Sequence, residues 1–162
     1  MTMVTSNGSG PRIVVAGWGN TLRGDDGAGC AVAATIGRLW SGNLVVLIGP
    51  HPLPEWAATL AEADIAYLID ATSDPRLRKP RVTAMSEPSA RLLPSGHALG
   101  PADVLALTVV LFGRSPKAYL IEIPSVNVEL GEGFSVIATR SVDEAVAWLD
   151  VMLGENRCTK LA

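Results

Sequence analysis

The sequence has little of what membrane-embedded, disulfide-stapled or nucleic-acid-binding proteins need. Only two of its 162 residues are cysteine, Cys30 and Cys158, and they form neither a CxxC metal pair nor a disulfide framework. Lys and Arg number 13 against 16 Asp and Glu, and the positive residues are scattered rather than gathered in one stripe. The longest apolar run, residues 104–112, is too short to cross a bilayer. We therefore expect a protein that binds neither nucleic acid nor membrane.

The first ten residues also lack the charged and apolar regions of a secretion signal, so we expect a flexible tail over residues 1–10 and a cytoplasmic protein. With 48% apolar residues, the chain suits one domain that buries roughly 70% of its unfolded surface. We place this single domain at residues 11–154 and a second flexible tail at residues 155–162.

Apolar segments alternate with segments of helical periodicity along the chain. The predicted strands are residues 12–16, 43–48, 65–71, 81–85 and 118–123, and the predicted helices are residues 26–40, 54–63, 101–113 and 141–153. Because several strands are apolar on both faces, helices are expected on both sides of the sheet. The pattern predicts an α/β fold, a three-layer α/β/α sandwich with a mostly parallel, wound sheet of about five strands. The shorter and more polar segment 81–85 is the expected edge strand of opposite direction.

Two helix boundaries carry local signals. Pro101 suits a first-turn position, and Ser141 with Glu144 forms the pattern of a capping box. Within the third predicted helix, an aliphatic stripe is expected to lie in the core rather than to bind a cofactor. Its members are Val104, Leu105, Leu107, Val110 and Leu111.

The most informative segment follows the first predicted strand and reads Gly-Trp-Gly-Asn-Thr-Leu-Arg-Gly-Asp-Asp-Gly, residues 17–27. It is not a dinucleotide fingerprint, because Leu22 occupies the position of the third glycine and two acids stand where pyrophosphate would approach. Asp25 and Asp26 suit a cation better than an anion. The alternative is structural: Asp25 caps the next helix, and Asp26 complements the helix dipole in its first turn.

Ligands of open α/β sheets bind beyond the carboxyl ends of the strands, so we ask which polar residues lie there. Asp26 follows the first predicted strand, Asp70 ends a buried one, and His97 precedes the helix that begins near Pro101. Two carboxylates and one imidazole form a three-ligand set suited to Ni, Zn, Fe or Mn.

Each of these residues has a structural alternative. Asp70 could cap a turn, and His97 could be an ordinary loop residue. His51 also follows a strand and could join or replace His97, although its flanking prolines favour a rigid loop. Glu122 lies inside the last predicted strand and is left as a structural acid.

These segments resemble the hydrogenase maturation proteases. The resemblance rests on residues 17–29, on Ile-Asp-Ala at 69–71, on Ser-Gly-His-x-Leu-x-Pro at 95–101 and on Ile-Pro at 123–124, with Gly131 and Ser135 downstream. It implies an α/β sandwich in which Asp26, Asp70 and His97 bind the metal. No catalytic residue apart from these ligands is identified.

The resemblance also implies an activity: removal of a C-terminal extension from the large-subunit precursor of [NiFe] hydrogenase after nickel insertion. Nickel would then be supplied by the substrate, and another divalent metal is an alternative in vitro. The lack of H-E-x-x-H and G-x-S-x-G motifs agrees with such a reader of substrate nickel.

One segment departs from the family pattern. Many members carry Asp-Gly-Gly-Thr after the second strand, whereas residues 48–55 read Ile-Gly-Pro-His-Pro-Leu-Pro-Glu. This resembles a subgroup associated with bidirectional, NAD-linked hydrogenases, and it leaves open which hydrogenase is the client.

Two other functions stay open at this point. The same ligands would let a non-catalytic checkpoint or chaperone sense nickel in its partner. A peptidyl-tRNA hydrolase also has a G-x-G-N turn in an α/β fold, but the acidic balance and the carboxylates after the turn disfavour it.

Overall fold

The computed structural model describes residues 2–5, 10–86, 99–131 and 133–158. Its centre is a six-stranded sheet with the order β1-β3-β2-β4-β6-β5. The strands are β1 Thr2–Thr5, β2 Ile13–Trp18, β3 Leu44–Gly49, β4 Ile65–Thr72, β5 Arg81–Ala84 and β6 Lys117–Pro124. The four central strands are parallel, and β1 and β5 pair antiparallel at the two edges.

Helices cover both faces of this sheet. They are α1 Ala28–Leu39, α2 Trp56–Ala61, α3 Pro101–Phe112 and α4 Val136–Cys158, and a 3-10 turn at Gly24–Gly27 precedes α1. Val15 and Ile69 face a core that includes Ile36 of α1 and Leu149 of α4. Alternate strand residues face a second core, which includes Leu60 of α2 and Leu105 of α3. This confirms the predicted three-layer α/β/α sandwich.

The predicted strands are all present, but the sheet has one strand more than expected. β1 lies within residues 1–10, which the sequence predicts to be a flexible tail, and it pairs with β3 through Thr2–Leu47 to Thr5–Leu44. β1 gives the N–H and C=O groups along the outer edge of β3 a strand to pair with. The sheet therefore has two antiparallel edges rather than one.

The last helix begins earlier than its capping-box pattern predicts. α4 starts at Val136, so Ser141 lies inside it rather than at its N-terminus. Ser135 takes the capping role, because its hydroxyl accepts a hydrogen bond from the Ala138 N–H at 3.2 Å. The Pro101 prediction is confirmed, since α3 begins at that residue.

The aliphatic stripe of α3 is buried only in its first half. Val104 and Leu105 are buried, whereas Val110 and Leu111 are exposed, contrary to their predicted place in the core. Within the described ranges, no helix combines the length and apolar character needed to span a membrane.

Candidate functional site

The turn between β2 and α1 brings acids to the carboxyl edge of the sheet by close backbone approach. Gly19 has a φ of 132°, and a Cβ there would collide with the carbonyl oxygen of Asp26. Gly17 meets the backbone of Gly29 in the same way, which holds the start of α1 against β2. Glycine is required at both positions, because a side chain at Gly19 would push Asp26 away from the strand end and one at Gly17 would push α1 away from β2.

Asp25 is fully buried and anchors the segment that joins β6 to α4. Its Oδ2 accepts hydrogen bonds from the N–H groups of Val126 and Asn127 at 2.8 and 2.9 Å. Ser135 donates its N–H to Oδ1 at 2.7 Å and its hydroxyl to Oδ2 at 2.8 Å. We call these four bonds the Asp25 clamp.

Burial by itself would raise the pKa of Asp25, but the bonds from Ser135, Val126 and Asn127 lower it below its ordinary value. The Asp25 carboxylate is therefore held charged by four donors. It does not cap α1, whose N-cap residue is Gly27, and no side chain bonds there. Asp25 therefore has a structural role, although not the capping role that the sequence suggests. Its hydrogen-bond partners lie 101 to 110 residues away along the chain.

Asp70 lies near the end of β4, and its surroundings shift its pKa in the opposite direction from that of Asp25. Burial, with smaller contributions from the charges of Asp26 and Glu122, raises the pKa of Asp70 to about 6. Hydrogen bonds from the Ala71 N–H and the Trp18 side chain oppose this rise without cancelling it. A carboxyl group in these surroundings is stabilised by a proton or by a cation.

Asp26 lies close enough to Asp70 for its charge to raise the pKa of Asp70. The Oδ2 of Asp26 also accepts a hydrogen bond from the Asn20 N–H at 2.8 Å, which orients its carboxylate. We call these two residues the acid pair. Their oxygens can serve as ligands to a divalent cation.

The predicted third ligand, His97, lies outside the described residues, so the full set stays a prediction. Among the ranges that the structure describes, no three His, Cys, Asp or Glu side chains form a group that could hold a metal. His51 therefore does not complete the acid pair in that part of the chain. Its Nδ1 lies 3.0 Å from the carbonyl oxygen of Pro52, as expected of a loop residue.

Three neighbours of the acid pair have defined roles. Glu122 forms a paired salt bridge with Arg81, with N–O distances of 2.7 and 2.8 Å, which makes it a structural acid. Arg81 also reaches Asp74 at 3.3 Å.

The buried thiol of Cys30 lies 3.5 Å from the Gly19 carbonyl oxygen. Burial and the Asp26 charge raise the pKa of Cys30, so this thiol is a poor nucleophile.

Sequence reasoning missed one residue of the site. Trp18 ends β2 with its side chain buried, packs against Trp56 at a ring separation of 6.4 Å and lies near enough to Asp70 to lower its pKa as a donor. An indole donates only one hydrogen bond, so a buried tryptophan at a strand end must find an acceptor near it. This requirement is the feature of the sequence that could have identified Trp18 as part of the site.

The fold and the acid pair define an α/β protein with a candidate cation-binding site at the carboxyl edge of its sheet. The sequence itself matches no family model and no curated protein. Solved structures do match. A hydrogenase maturating endopeptidase, HybD, from Escherichia coli has 22% identity and a TM-score of 0.73, covering 89% of this chain and 93% of that one.

Two archaeal structures agree with this match. The [NiFe] hydrogenase maturation protease HybD from Thermococcus kodakarensis has 24% identity and a TM-score of 0.70, covering 87% of this chain and 98% of its own. The maturation protease HycI from the same organism has 22% identity and a TM-score of 0.69, with 90% and 94% covered. The chain therefore has the fold of hydrogenase maturation proteases, as the sequence resemblance implies.

Proposed function

We propose that this protein is a cytoplasmic endopeptidase that removes the C-terminal extension of a [NiFe] hydrogenase large-subunit precursor after nickel insertion. The observation that carries the proposal is the acid pair, Asp26 and Asp70, at the carboxyl edge of a sheet with this fold. Support comes from neighbours named as hydrogenase maturation proteases over about nine-tenths of the chain.

The acid pair fits nickel in the substrate as a recognition element. Two carboxylates that repel each other, one of them with a pKa raised to about 6, gain most from a cation placed between them. Together with the predicted imidazole of His97 they supply oxygen and nitrogen donors suited to nickel and leave positions open for the substrate's own ligands. Nickel enters here as part of the substrate, and a resident metal is not needed.

The chain's residues then act mainly by positioning. Asp26 and Asp70, oriented by the Asn20 N–H and by Trp18, would hold the metal end of the precursor and fix the nearby peptide bond in register. Nickel would supply Lewis acidity that polarises a water for attack on the carbonyl. Either aspartate could take the proton from that water.

The test is to incubate the purified protein with nickel-loaded and nickel-free large-subunit precursor and to follow the precursor by mass spectrometry. We expect loss of a mass equal to the C-terminal extension with the nickel-loaded form only. A stable complex with intact precursor would instead identify the non-catalytic checkpoint protein. Cleavage of both forms alike would remove nickel from the recognition step.

A further inference from the structure

The segment between β6 and α4, together with residues next to it in the fold, exposes apolar side chains beside the candidate site. We call this surface the apolar rim; it consists of Leu22, Val126, Val128, Leu130, Phe134 and Val136. Val126, Val128 and Leu130 alternate along the chain, and all six side chains are exposed. Clustered exposed apolar residues of this kind mark surfaces that bind a partner.

The backbone beneath the apolar rim is held in place, so the surface is formed before any partner arrives. Gly131 donates its N–H to the Leu22 carbonyl at 3.0 Å and accepts from the Gly24 N–H at 3.2 Å. Asp25 adds its clamp from below, and the Arg23 guanidinium bonds the Val128 carbonyl at 3.1 Å. A preformed surface loses little conformational entropy when it binds.

The apolar rim lies at the same edge of the sheet as the acid pair. Its segment begins where the Ser125 N–H bonds the Thr72 carbonyl at 2.8 Å, two residues beyond Asp70. Asp25, which holds the segment, precedes Asp26 directly in the chain. An extended chain bound at the acid pair can therefore reach the rim.

A pocket of about 330 Å³ opens beside the rim. Cys30, Ala31 and Ala34 of α1 line one side, and Phe134 lines another. Thr21, Gly24 and Gly27 complete it on the turn that carries the acids, and its surface is mainly apolar. This volume is at the small end of ligand pockets and suits one apolar side chain better than a cofactor.

We infer that the apolar rim and this pocket bind an extended apolar segment of the polypeptide substrate next to the cleaved bond, with one side chain inserted in the pocket. The inference rests on the proposed function. A second copy of this chain is a poorer occupant, because a copy seated on the rim would cover the acid pair. An extended peptide can reach both, and its alternate side chains match the alternation of Val126, Val128 and Leu130.

The chain offers matched residues for the test. Leu22 of the rim and Leu39 at the end of α1 are both 61% exposed, and Val126 is 58% exposed against 55% for Val151 of α4. We compare a rim variant, Leu22→Ser with Val126→Ser, with a control variant, Leu39→Ser with Val151→Ser. All four side chains are exposed, so neither variant should unfold the protein.

With nickel-loaded precursor as substrate, we expect the rim variant to raise KM about tenfold with little change in kcat and the control variant to leave both unchanged. Filling the pocket with Ala34→Leu should raise KM in the same way, whereas Ala147→Leu on the exposed face of α4 should not. Equal KM values for rim and control variants, with wild-type cleavage intact, would overturn the inference and leave the proposed function standing.

Two further measurements separate the inference from the proposed function and from self-association. If the wild type binds the precursor without cleaving it, the proposed function fails, and a rise in Kd confined to the rim variant still supports the surface. Light scattering reports a second copy: a wild-type dimer that the rim variant dissociates, with KM unchanged, would overturn the inference.

Discussion

Asp25 and Asp70 lie at the same edge of the sheet, yet their surroundings act on their charges in opposite directions. Four hydrogen bonds outweigh burial and lower the pKa of Asp25. At Asp70, burial and two neighbouring acids outweigh two hydrogen bonds and raise the pKa to about 6. Hydrogen bonds satisfy the charge of Asp25, whereas the carboxyl group of Asp70 still requires a proton or a cation.

The difference separates a structural carboxylate from a functional one at the same edge of the sheet. A satisfied carboxylate holds two segments together and needs nothing from outside. A carboxyl group with a raised pKa beside a second acid costs stability, and such costs are typical of functional sites. The Asp25 clamp therefore positions the acid pair, and the acid pair is where chemistry is expected.

The largest effect should come from neutralising the acid pair. Asp70→Asn removes a proposed ligand at constant size, so we expect the rate of precursor cleavage to fall about a thousandfold or more. Asp64→Asn is the control, because Asp64 lies just before β4 at the opposite end of that strand, where it accepts the Arg12 N–H at 2.8 Å. Mass spectrometry of the precursor measures both variants.

The Ala variants test the ligand set as a whole. Asp70→Ala and His97→Ala should each abolish processing while circular dichroism shows an intact fold. Full cleavage by both variants would mean that this set does not read the precursor, and the acid pair would then need another role.

The second prediction concerns Asp25, the other carboxylate of the comparison, and breaks its clamp. Asp25→Asn places an NH₂ group where four donors converge, so buried N–H groups lose their acceptor and the free energy of unfolding should fall by about 3 kcal/mol. Urea denaturation at pH 7 measures the loss. Asp70→Asn should show no such loss, and equal urea midpoints for wild type and Asp25→Asn would contradict the clamp.

The third prediction concerns pH. The pKa of Asp70 is about 6 in the folded protein against an ordinary 3.8, so the folded state holds this proton more tightly than the unfolded chain does. Stability from Asp70 is therefore fully present below pH 4 and is lost as pH rises through 6. Allowing for partial exposure, we expect wild type to lose about 2 kcal/mol relative to Asp70→Asn between pH 4 and pH 7.

The contribution of Asp25 to stability changes with pH in the opposite direction. Because its folded pKa is lowered, its stabilisation is present above its ordinary pKa of 3.8 and is lost as pH falls through the lower folded value. Urea curves of metal-free wild type, Asp70→Asn and Asp25→Asn at intervals from pH 3 to pH 7 separate the two. Parallel pH curves for wild type and Asp70→Asn would contradict the third prediction.

Strands were predictable from sequence because their apolar residues are buried on both faces. Residues 44–48 and 65–69 are apolar throughout, and no local alternative competes with a central strand. β1 was not predictable, because it pairs with the edge of β3, a partner that the local sequence does not reveal. The start of α4 was missed for a similar reason, since Ser135 depends on Asp25, 110 residues away.

The site divides in the same way. Asp26 and Asp70 could be placed together because parallel strands end at one edge of the sheet, a rule that needs no side-chain detail. The bond from Trp18 to Asp70 and the Asp25 clamp could not, because each depends on which way a side chain turns after folding. The strand topology could therefore be predicted from the sequence, whereas the hydrogen bonds of individual polar side chains could not.

The smallest predicted effect repeats the comparison with two hydroxyl groups of one helix. Ser135 Oγ caps α4 and bonds Asp25 at 2.8 Å, whereas buried Ser141 Oγ has no hydrogen-bond partner in the part of the chain that the structure describes. We therefore expect Ser135→Ala to lower the free energy of unfolding by about 1 kcal/mol and Ser141→Ala to raise it by up to about 1 kcal/mol. Thermal unfolding at pH 7 measures both, and shifts of the same sign would mean that burial, rather than bonding, sets the contribution of these serines.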